Sequence, residues 1–217
     1  MIIDLNVQDK VVIVIGGGNE ALKRIQSLLK QRCQILLISE KTNPQINRFA
    51  KSGKIKIVRK NVQDMKFISK FKPFMIITTT DNKKLNQNII NAAKKRRILA
   101  YSSDNPENSD FSNPAIIDFE KIIQIAIFTG GKSPLISKKI KVETEKILKK
   151  IVTKEYLHYI RLQEVVRKMA KERISTAVTR KAYINSIMRD KDVEQLIKDG
   201  YLKKAEKRSI EILENWI

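Results

Sequence analysis

Five consecutive β-branched residues run directly into three glycines near the start of the chain. The segment Val11 to Ile15 reads V-V-I-V-I, and G-G-G-N-E-A follows it from Gly16 to Ala21. An uninterrupted apolar run of this kind is typical of a parallel strand that is buried on both faces. Glycines after such a strand let the backbone turn sharply and approach an anion at the N-terminus of the next helix. This segment therefore predicts a strand–turn–helix unit of an α/β fold.

The spacing within the turn is that of a dinucleotide-binding fingerprint. Gly16-x-Gly18-x-x-Ala21 places a small residue where the helix packs against the strand. A helix is predicted over residues 20–31 and a second apolar strand over 34–39, so the turn lies in the expected context. Glycine-rich turns also occur in Rossmann-like domains that bind nothing, and that alternative stays open.

An acidic residue follows the second predicted strand. Glu40 lies about 20 residues past the glycines, where dinucleotide-binding units carry the acid that contacts the ribose. A carboxylate accepts hydrogen bonds from ribose hydroxyls and repels a 2′-phosphate, so NAD is favoured over NADP. Lys41, directly beside it, works against that preference.

The α/β alternation continues to about residue 113. Strands are predicted over 54–58, 74–80 and 98–102, and helices over 64–71 and 84–95, with Asp81 as a candidate helix cap. Ligands bind outside the carboxyl ends of strands in an open parallel sheet. Polar residues that follow three of the strands can therefore face one crevice: Glu40 and Lys41, then Thr78 to Asp81, then Ser102 to Asp104.

The pattern changes at Asn113-Pro114. Two apolar runs over 115–118 and 122–128 predict a hairpin, T-G-G-K-S-P from Thr129 to Pro134 forms a second glycine-rich turn, and a helix is predicted over 135–150. Helices separated near Ser175, Asp190 and Gly200 follow, with Trp216 expected to pack the last one. We expect a Rossmann-type domain over 1–113, a separate segment over 114–150 and an all-helical domain over 151–217.

Composition narrows the function classes. The 217 residues carry 44 Lys and Arg against 23 Asp and Glu, a net charge of +21 that is spread along the chain, and only 6% are aromatic. Nucleic-acid readers usually concentrate charge on one element and interleave aromatics, so nucleic acid is a disfavoured partner. The charge fits a polyanionic small substrate or a solvated lysine-rich surface.

The same composition bears on location and on metals. No stretch reaches transmembrane length and Met1 leads into the first strand region without a signal-like segment, so we expect a cytoplasmic protein. The single cysteine, Cys33, is expected to be a structural thiol, since it has no partner for an internal disulfide. With His158 as the sole histidine, a protein-bound zinc or iron–sulfur site is not expected.

Five motifs resemble the precorrin-2 dehydrogenase and sirohydrochlorin ferrochelatase family, the dehydrogenase part of siroheme synthases. They are V-I-G-G-G-N-E-A-L-K-R from Val14, T-T-T-D-N-K-K-L-N from Thr78, S-D-N-P-E-N-S-D-F from Ser103, P-A-I-I-D from Pro114 and T-G-G-K-S-P from Thr129. Together with the helical C-terminal region they follow the family's order over nearly the whole chain.

The resemblance implies an activity and partners. The expected reaction is NAD-dependent oxidation of precorrin-2 to sirohydrochlorin, in which a hydride passes to NAD⁺ and a proton is lost. The substrate carries eight carboxylates, which gives the diffuse positive charge a use in capture and orientation. The resemblance also implies a homodimer formed through residues 114–150. In bifunctional members, Fe²⁺ or Co²⁺ enters the product as a chelation substrate; Asn105, where relatives often have a second acid, makes that reaction the less expected one here.

Site residues follow from the same motifs. Asp104 matches the family's catalytic aspartate, a general base, although an Asp at this position could simply cap the Asn105-Pro106 turn. The motifs place Asn19, Glu20, Glu40 and Lys41 at the cofactor, with the fingerprint glycines Gly16 and Gly18. Further candidates are Thr79 and Thr80 for the cofactor, and Ser103, Gly130, Gly131, Lys132 and Ser133 for the substrate.

Each of these groups has an ordinary structural alternative. The turn at Gly130 to Ser133 suits a carboxylate of the macrocycle through backbone amides and Lys132, but a plain helix start would have the same sequence. At the level of the whole chain, two other classes stay open. One is an NAD-dependent dehydrogenase of another polyanionic substrate, and the other is a non-enzymatic NAD sensor or nucleic-acid-binding protein.

Overall fold

The computed structural model describes residues 2–214, and the predicted packing of Trp216 lies outside them. The chain divides into two compact units, residues 1–113 and residues 114–217. We describe each unit by itself. Whether 114–150 and 151–217 act as a separate dimerisation segment and helical domain stays a prediction.

The first unit is built on a five-stranded parallel sheet. Its strands are β1 (Val11–Ile15), β2 (Gln34–Ile38), β3 (Lys56–Val58), β4 (Met75–Thr78) and β5 (Leu99–Ser102), in the order β3-β2-β1-β4-β5. Ile15 at the end of β1 pairs with Ile38 on one side and Thr78 on the other. The carboxyl ends of these three strands are therefore level, and the residues that follow them meet at one edge of the sheet.

Four helices cover the two faces of this sheet. They are α1 (Asn19–Leu28), α2 (Pro44–Lys51), α3 (Lys66–Phe71) and α4 (Lys83–Lys94). Successive residues of β1 point to opposite faces, so Val12 and Val14 belong to one apolar cluster and Ile13 to the other. Each cluster contains buried residues from two helices, which explains the uninterrupted apolar run of β1. The predicted α/β fold with a Rossmann-type parallel sheet is confirmed.

Two local features differ from the sequence-based expectation. The helix α2 was not predicted, although Asn43-Pro44 is a good start signal: the Asn43 side chain accepts a hydrogen bond from the Gln45 N–H (2.8 Å), and Pro44 occupies the first helical position. The cap of α4 is Asn82, whose Oδ1 accepts from the Leu85 N–H, and not Asp81. Asp81 therefore does not cap this helix.

The second unit combines a small sheet with helices. Strands β6 (Ala115–Phe119) and β7 (Ile123–Ile127) form an antiparallel hairpin, followed by α5 (Pro134–Ile151), α6 (Lys154–Arg173), α7 (Ala177–Arg189), α8 (Lys191–Lys198) and α9 (Leu202–Glu214). The predicted breaks near Ser175, Asp190 and Gly200 lie between the last four helices. Residues from α6 to α9 form a buried core that includes Tyr183, fully buried, with its hydroxyl donating to the Ser209 carbonyl oxygen (2.8 Å).

Two kinds of feature are absent from residues 2–214. No helix among them is long and apolar enough to cross a membrane. Over the same residues, no cluster of three or more His, Cys, Asp or Glu side chains could hold a metal ion. Cys33 is half-buried, its Sγ lies 3.6 Å from the Leu28 carbonyl oxygen, and burial raises the pKa of its thiol.

Candidate functional site

A cleft of about 470 Å³ opens at the carboxyl edge of the parallel sheet, within the first unit. Its wall contains every residue that the sequence assigned to the cofactor: Gly16, Gly18, Asn19, Glu20, Glu40, Lys41, Thr79 and Thr80. Asp81, which the sequence placed at the same crevice, also lines it, as do Lys60 and Asn61, which were not predicted. The cleft lies beside the point where the sheet order changes direction at β1 and β4, which is where open α/β sheets bind ligands.

The first two glycines of the turn are required by neighbouring backbone. Gly16 has φ of +101°, and a Cβ there would lie 2.9 Å from backbone atoms of Thr79. A Cβ on Gly17 would lie 2.1 Å from the carbonyl oxygen of Lys41. These two glycines let the segments that follow β4 and β2 close against the turn after β1.

Gly18 is the position that faces the cleft. Apart from Gly18 itself and its neighbours in the chain, no atom lies within 4 Å of where its Cβ would be. No side chain caps α1, which begins at the next residue. The first amides of α1 therefore have no side-chain cap, and a phosphate can approach the backbone closely at Gly18. The space at Gly18 and the uncapped helix start fit the pyrophosphate of a dinucleotide.

Asn19 fixes the turn to the segment after β2. Its Oδ1 accepts a hydrogen bond from Asn43 Nδ2 (2.9 Å), while the Asn43 backbone N–H donates to the Gly17 carbonyl oxygen (2.7 Å). Both contacts hold the wall that carries Glu40 and Lys41 against the start of α1. Asn19 thus shapes the cleft as well as lining it.

Glu20 is engaged by two cations of its own helix. Its carboxylate accepts hydrogen bonds from Lys23 Nζ (3.1 Å) and Arg24 Nη2 (2.5 Å). Burial alone would raise the pKa of Glu20, but the hydrogen bonds and charges of Lys23 and Arg24 outweigh it and hold the pKa below its ordinary value. Because its charge is balanced, Glu20 opposes a phosphate at the helix N-terminus less than an isolated carboxylate would.

Glu40 lies in a basic part of the cleft wall. Lys41 and Lys60 line the cleft with it, and Arg59 reaches the Glu40 carbonyl oxygen from the end of β3 (3.5 Å). Arg59 also donates to Asn47 Oδ1 on α2 (2.9 Å), which holds its guanidinium in place. One acid therefore lies among several cations at this end of the cleft.

Asp104 is joined to the cleft wall by a chain of short hydrogen bonds. Asn86 Nδ2 donates to Asp104 Oδ1 (2.8 Å), and Thr80 Oγ1, in the cleft wall, donates to Asn86 Oδ1 (2.6 Å). Ser102 Oγ donates to the same Asp104 oxygen (2.5 Å). Asp104 itself is exposed, so its carboxylate is held from the protein side and open to solvent on the other.

The turn after β5 is capped by the next residue and not by Asp104. Asn105 Oδ1 accepts a hydrogen bond from the Asn108 N–H (3.2 Å) at a short 3₁₀ turn over Pro106–Asn108. The alternative in which Asp104 caps this turn is therefore wrong. Ser103 donates its backbone N–H to the Thr78 carbonyl oxygen (3.1 Å), while its hydroxyl oxygen is buried without a hydrogen bond from the described residues.

Sequence reasoning assigned no role to Asn86. A signal was present: Asn86 falls in line with Ile89, Ile90 and Ala93 at helical spacing, so it occupies a core position of α4. A polar side chain in such a stripe must find hydrogen-bond partners. Which partners it would find was not readable from the sequence.

The second glycine-rich turn lies in the other unit. Gly130 and Gly131 both have positive φ (64° and 75°), and Ser133 caps α5 by accepting a hydrogen bond from the Ile136 N–H (3.3 Å). Thr129 Oγ1 and Ser137 Oγ are 2.9 Å apart, which ties the turn to the first turn of the helix. Lys132 is exposed. A helix start accounts for Ser133, and a substrate contact by this turn stays a prediction.

Comparisons with known proteins agree with this geometry. Residues 3–115 match a family model described as "Putative NAD(P)-binding". A siroheme synthase of Baumannia cicadellinicola subsp. Homalodisca coagulata is 31% identical over 150 residues, which cover 66% of this chain and 30% of that protein. A siroheme synthase of Psychromonas ingrahamii is 25% identical over 201 residues, covering 91% and 40%. The chain thus spans well under half the length of these relatives.

A solved structure resembles the chain over almost its full length. It is "SirC, precorrin-2 dehydrogenase", with a TM-score of 0.69 and 21% identity, covering 95% of this chain and 99% of that one. At this identity the likeness supports the fold.

The sheet, the glycine turn and the cleft define the class, a Rossmann-type dinucleotide-binding protein. The chain belongs to the NAD(P)-binding family that its residues 3–115 match. The resemblance to the precorrin-2 dehydrogenases that the motifs indicate is confirmed, and NAD is supported as the cofactor.

Proposed function

We propose that this protein oxidises precorrin-2 to sirohydrochlorin with NAD⁺, in the cytoplasm. The observation that carries the proposal is the hydrogen-bonded path from the cleft wall at Thr80 through Asn86 to the Asp104 carboxylate. The names of the relatives and the structural neighbour supply the substrate class.

The reaction removes one hydride and one proton from the substrate. NAD⁺, when bound, supplies the hydride acceptor. Gly18 and the uncapped start of α1 would hold its pyrophosphate, and Glu40 would accept hydrogen bonds from its adenosine ribose. Asp104 accepts the proton that the substrate loses as its conjugation extends, and the proton then passes to water.

The chain's charge supports a polycarboxylate substrate. With a net charge of +21, the field of the protein attracts an anionic macrocycle and raises its rate of capture. Ser103, beside Asp104, and the turn from Gly130 to Ser133 with Lys132 are the proposed substrate contacts. Fe²⁺ or Co²⁺ would be the substrate of a second reaction, chelation into sirohydrochlorin.

We also propose a homodimer that forms through residues 114–150. The helix α5 exposes several large apolar side chains, among them Leu135 (76% exposed), Ile147 (60%) and Ile151 (55%). Phe128, just after β7, is also exposed. Apolar surface of this kind marks an interaction site, and a second copy of the chain would cover it.

An anaerobic assay tests the proposed reaction. Purified protein is mixed with enzymatically prepared precorrin-2 and NAD⁺, and both sirohydrochlorin and NADH are followed by absorbance. We expect the two products in equal amounts, with none when NAD⁺ is left out. Oxidation that proceeds equally well without NAD⁺, or no oxidation at all, would contradict the proposal. Parallel reactions with Fe²⁺ or Co²⁺ measure chelation separately.

Two controls identify the other classes. NADH formation with a different polyanionic substrate, but none with precorrin-2, would indicate a different dehydrogenase. Salt-sensitive binding to DNA that NAD⁺ does not affect, in a protein without turnover, would indicate a nucleic-acid partner.

A further inference from the structure

Asn86 is a polar side chain in an otherwise apolar stripe of α4. It is 1% exposed, and Ile89, Ile90 and Ala93 on the same stripe are buried in the core. An amide buried without hydrogen bonds destabilises a fold, so its hydrogen-bond partners matter. Asn86 is not among the residues that line the cleft.

The amide group of Asn86 is bonded on both sides. Nδ2 donates to the Thr80 carbonyl oxygen (2.8 Å) and to Asp104 Oδ1 (2.8 Å), and Oδ1 accepts from Thr80 Oγ1 (2.6 Å). Both partners of Nδ2 are oxygen acceptors, so the orientation of the amide is determined by its surroundings. Asn86 thereby couples Thr80, in the cleft wall, to Asp104.

A second buried group reaches the same oxygen of Asp104. Ser102 Oγ donates to Asp104 Oδ1 (2.5 Å) and lies 2.9 Å from Thr78 Oγ1. Because the single hydroxyl proton of Ser102 is directed to Asp104, Thr78 is the donor to Ser102. Thr78 and Ser102 are 0% and 2% exposed, and a buried chain of this kind is strengthened by mutual polarisation.

The two arms leave the carboxylate asymmetric. Oδ1 accepts from both Asn86 and Ser102, whereas Oδ2 has no hydrogen bond from any residue between 2 and 214. A fixed carboxylate with one engaged oxygen and one open oxygen has a defined direction in which to accept a proton.

We propose that Asn86 is a positioning residue for Asp104: it holds Oδ1, together with Ser102, so that Oδ2 faces outward as the proton acceptor, and it links this alignment to Thr80 in the cofactor cleft. The inference rests on the proposed role of Asp104 in the dehydrogenation. Asn86 does not line the cleft, so its effect on the reaction passes through Asp104.

Kinetics of matched variants test the catalytic part. Asn86→Asp keeps the size of the side chain but loses the donor to Asp104 and adds a like charge beside it. Asn91→Asp is the same change on an exposed position of the same helix. We expect Asn86→Asp to lower kcat about 10- to 100-fold, as misplacement of a reacting group does, with little change in the KM for NAD⁺. Asn91→Asp should retain the wild-type kcat. The kcat of Ser102→Ala should lie between those of Asn86→Asp and the wild type.

A spectroscopic measurement tests the positioning without turnover. The side-chain amide protons of Asn86, assigned by their loss in Asn86→Asp, are followed by ¹H–¹⁵N NMR in the wild type and in Asp104→Ala. Loss of the charged acceptor should move one of the two amide protons upfield and speed its exchange with solvent. An unchanged signal, or a folded Asn86→Asp variant with wild-type kcat, would overturn the inference. A wild type that leaves precorrin-2 unreacted would refute the proposed function, and the NMR comparison would still decide whether Asn86 holds Asp104.

Discussion

Gly17 lies directly beneath the carbonyl oxygen of Lys41, so closely that a Cβ on Gly17 would come within 2.1 Å of it. A Cβ on Gly18, the next residue, would meet open space. The two glycines of one turn therefore have different roles. Gly17 lets the backbone pack closely, and Gly18 leaves room for a ligand to approach.

Alanine at each glycine separates these roles. Gly17→Ala forces the backbone apart and should destabilise the protein by about 1–3 kcal/mol, seen as a lower denaturation midpoint. Gly18→Ala, whose φ of −80° suits alanine, should leave the midpoint unchanged and weaken NAD⁺ binding in a calorimetric titration. Equal stability of both variants would contradict the packing role of Gly17.

Removing the carboxylate of Asp104 should stop the chemistry and spare the cofactor. Loss of a general base typically costs on the order of 10² to 10⁴ in rate, so Asp104→Ala should lower kcat to that extent while the NAD⁺ affinity stays nearly the same. Asp104→Asn keeps the size and can still bond to its neighbours, but it cannot take up a proton. Full activity in a folded Asp104→Asn variant would show that the reaction needs no base at this position.

The preference for NAD⁺ or NADP⁺ should depend on the balance between the negative charge of Glu40 and the positive charges of the cations around it. The wild type should bind NAD⁺ more tightly than NADP⁺, because Glu40 bonds the ribose hydroxyls and repels a 2′-phosphate. Glu40→Gln removes the charge and leaves Lys41 and Lys60 in the wall, so NADP⁺ binding should improve relative to NAD⁺. Titrations of both dinucleotides measure this. Tighter NADP⁺ binding by the wild type would mean that the lysines outweigh Glu40.

The proposed dimer should depend on the apolar surface of α5. We expect sedimentation of the wild type to give a dimer at micromolar concentration, and Ile147→Asp to shift it toward monomer, because a charge replaces an exposed apolar side chain (60% exposed). Lys146→Asp, at the exposed neighbouring position, changes the net charge by −2 against −1 for Ile147→Asp and removes no apolar side chain, so it should remain a dimer. A monomeric wild type would refute the proposed interface.

The helical part of the chain should lose stability at high pH through Tyr183. Burial raises the pKa of Tyr183 to about 12, against 10.0 ordinarily, with the charge of Arg173 acting in the opposite direction. The fold favours the neutral phenol. Its contribution to the free energy of unfolding is therefore complete below pH 10 and is lost as the pH rises toward 12. Denaturant midpoints of wild type and Tyr183→Phe between pH 9 and 11.5 should converge as the pH rises, while a constant difference would refute this account.

Local signals explain what the sequence predicted well. The glycine turn, the apolar strands and the helix breaks each depend on residues that are adjacent or one helical turn apart. The partners of Asp104 depend on the fold instead: Asn86 is 18 positions away, and no spacing rule relates the two. Arg24 and Tyr101 are a second pair that no spacing rule relates. They are 77 positions apart, yet the guanidinium of Arg24 lies 4.9 Å from the ring centre of Tyr101. Contacts of that kind appear only once the sheet has brought β1, β4 and β5 together.

The central place of β1 in the sheet has a consequence for the protein's synthesis. β1 leaves the ribosome before β4, one of its two neighbours in the sheet, so Val12 must wait for Met75 to be translated. During that interval an apolar strand presents one unpaired edge, which is the kind of surface that recruits chaperones or pairs with other chains. Expression at lower temperature or with added chaperones should therefore raise the yield of folded protein.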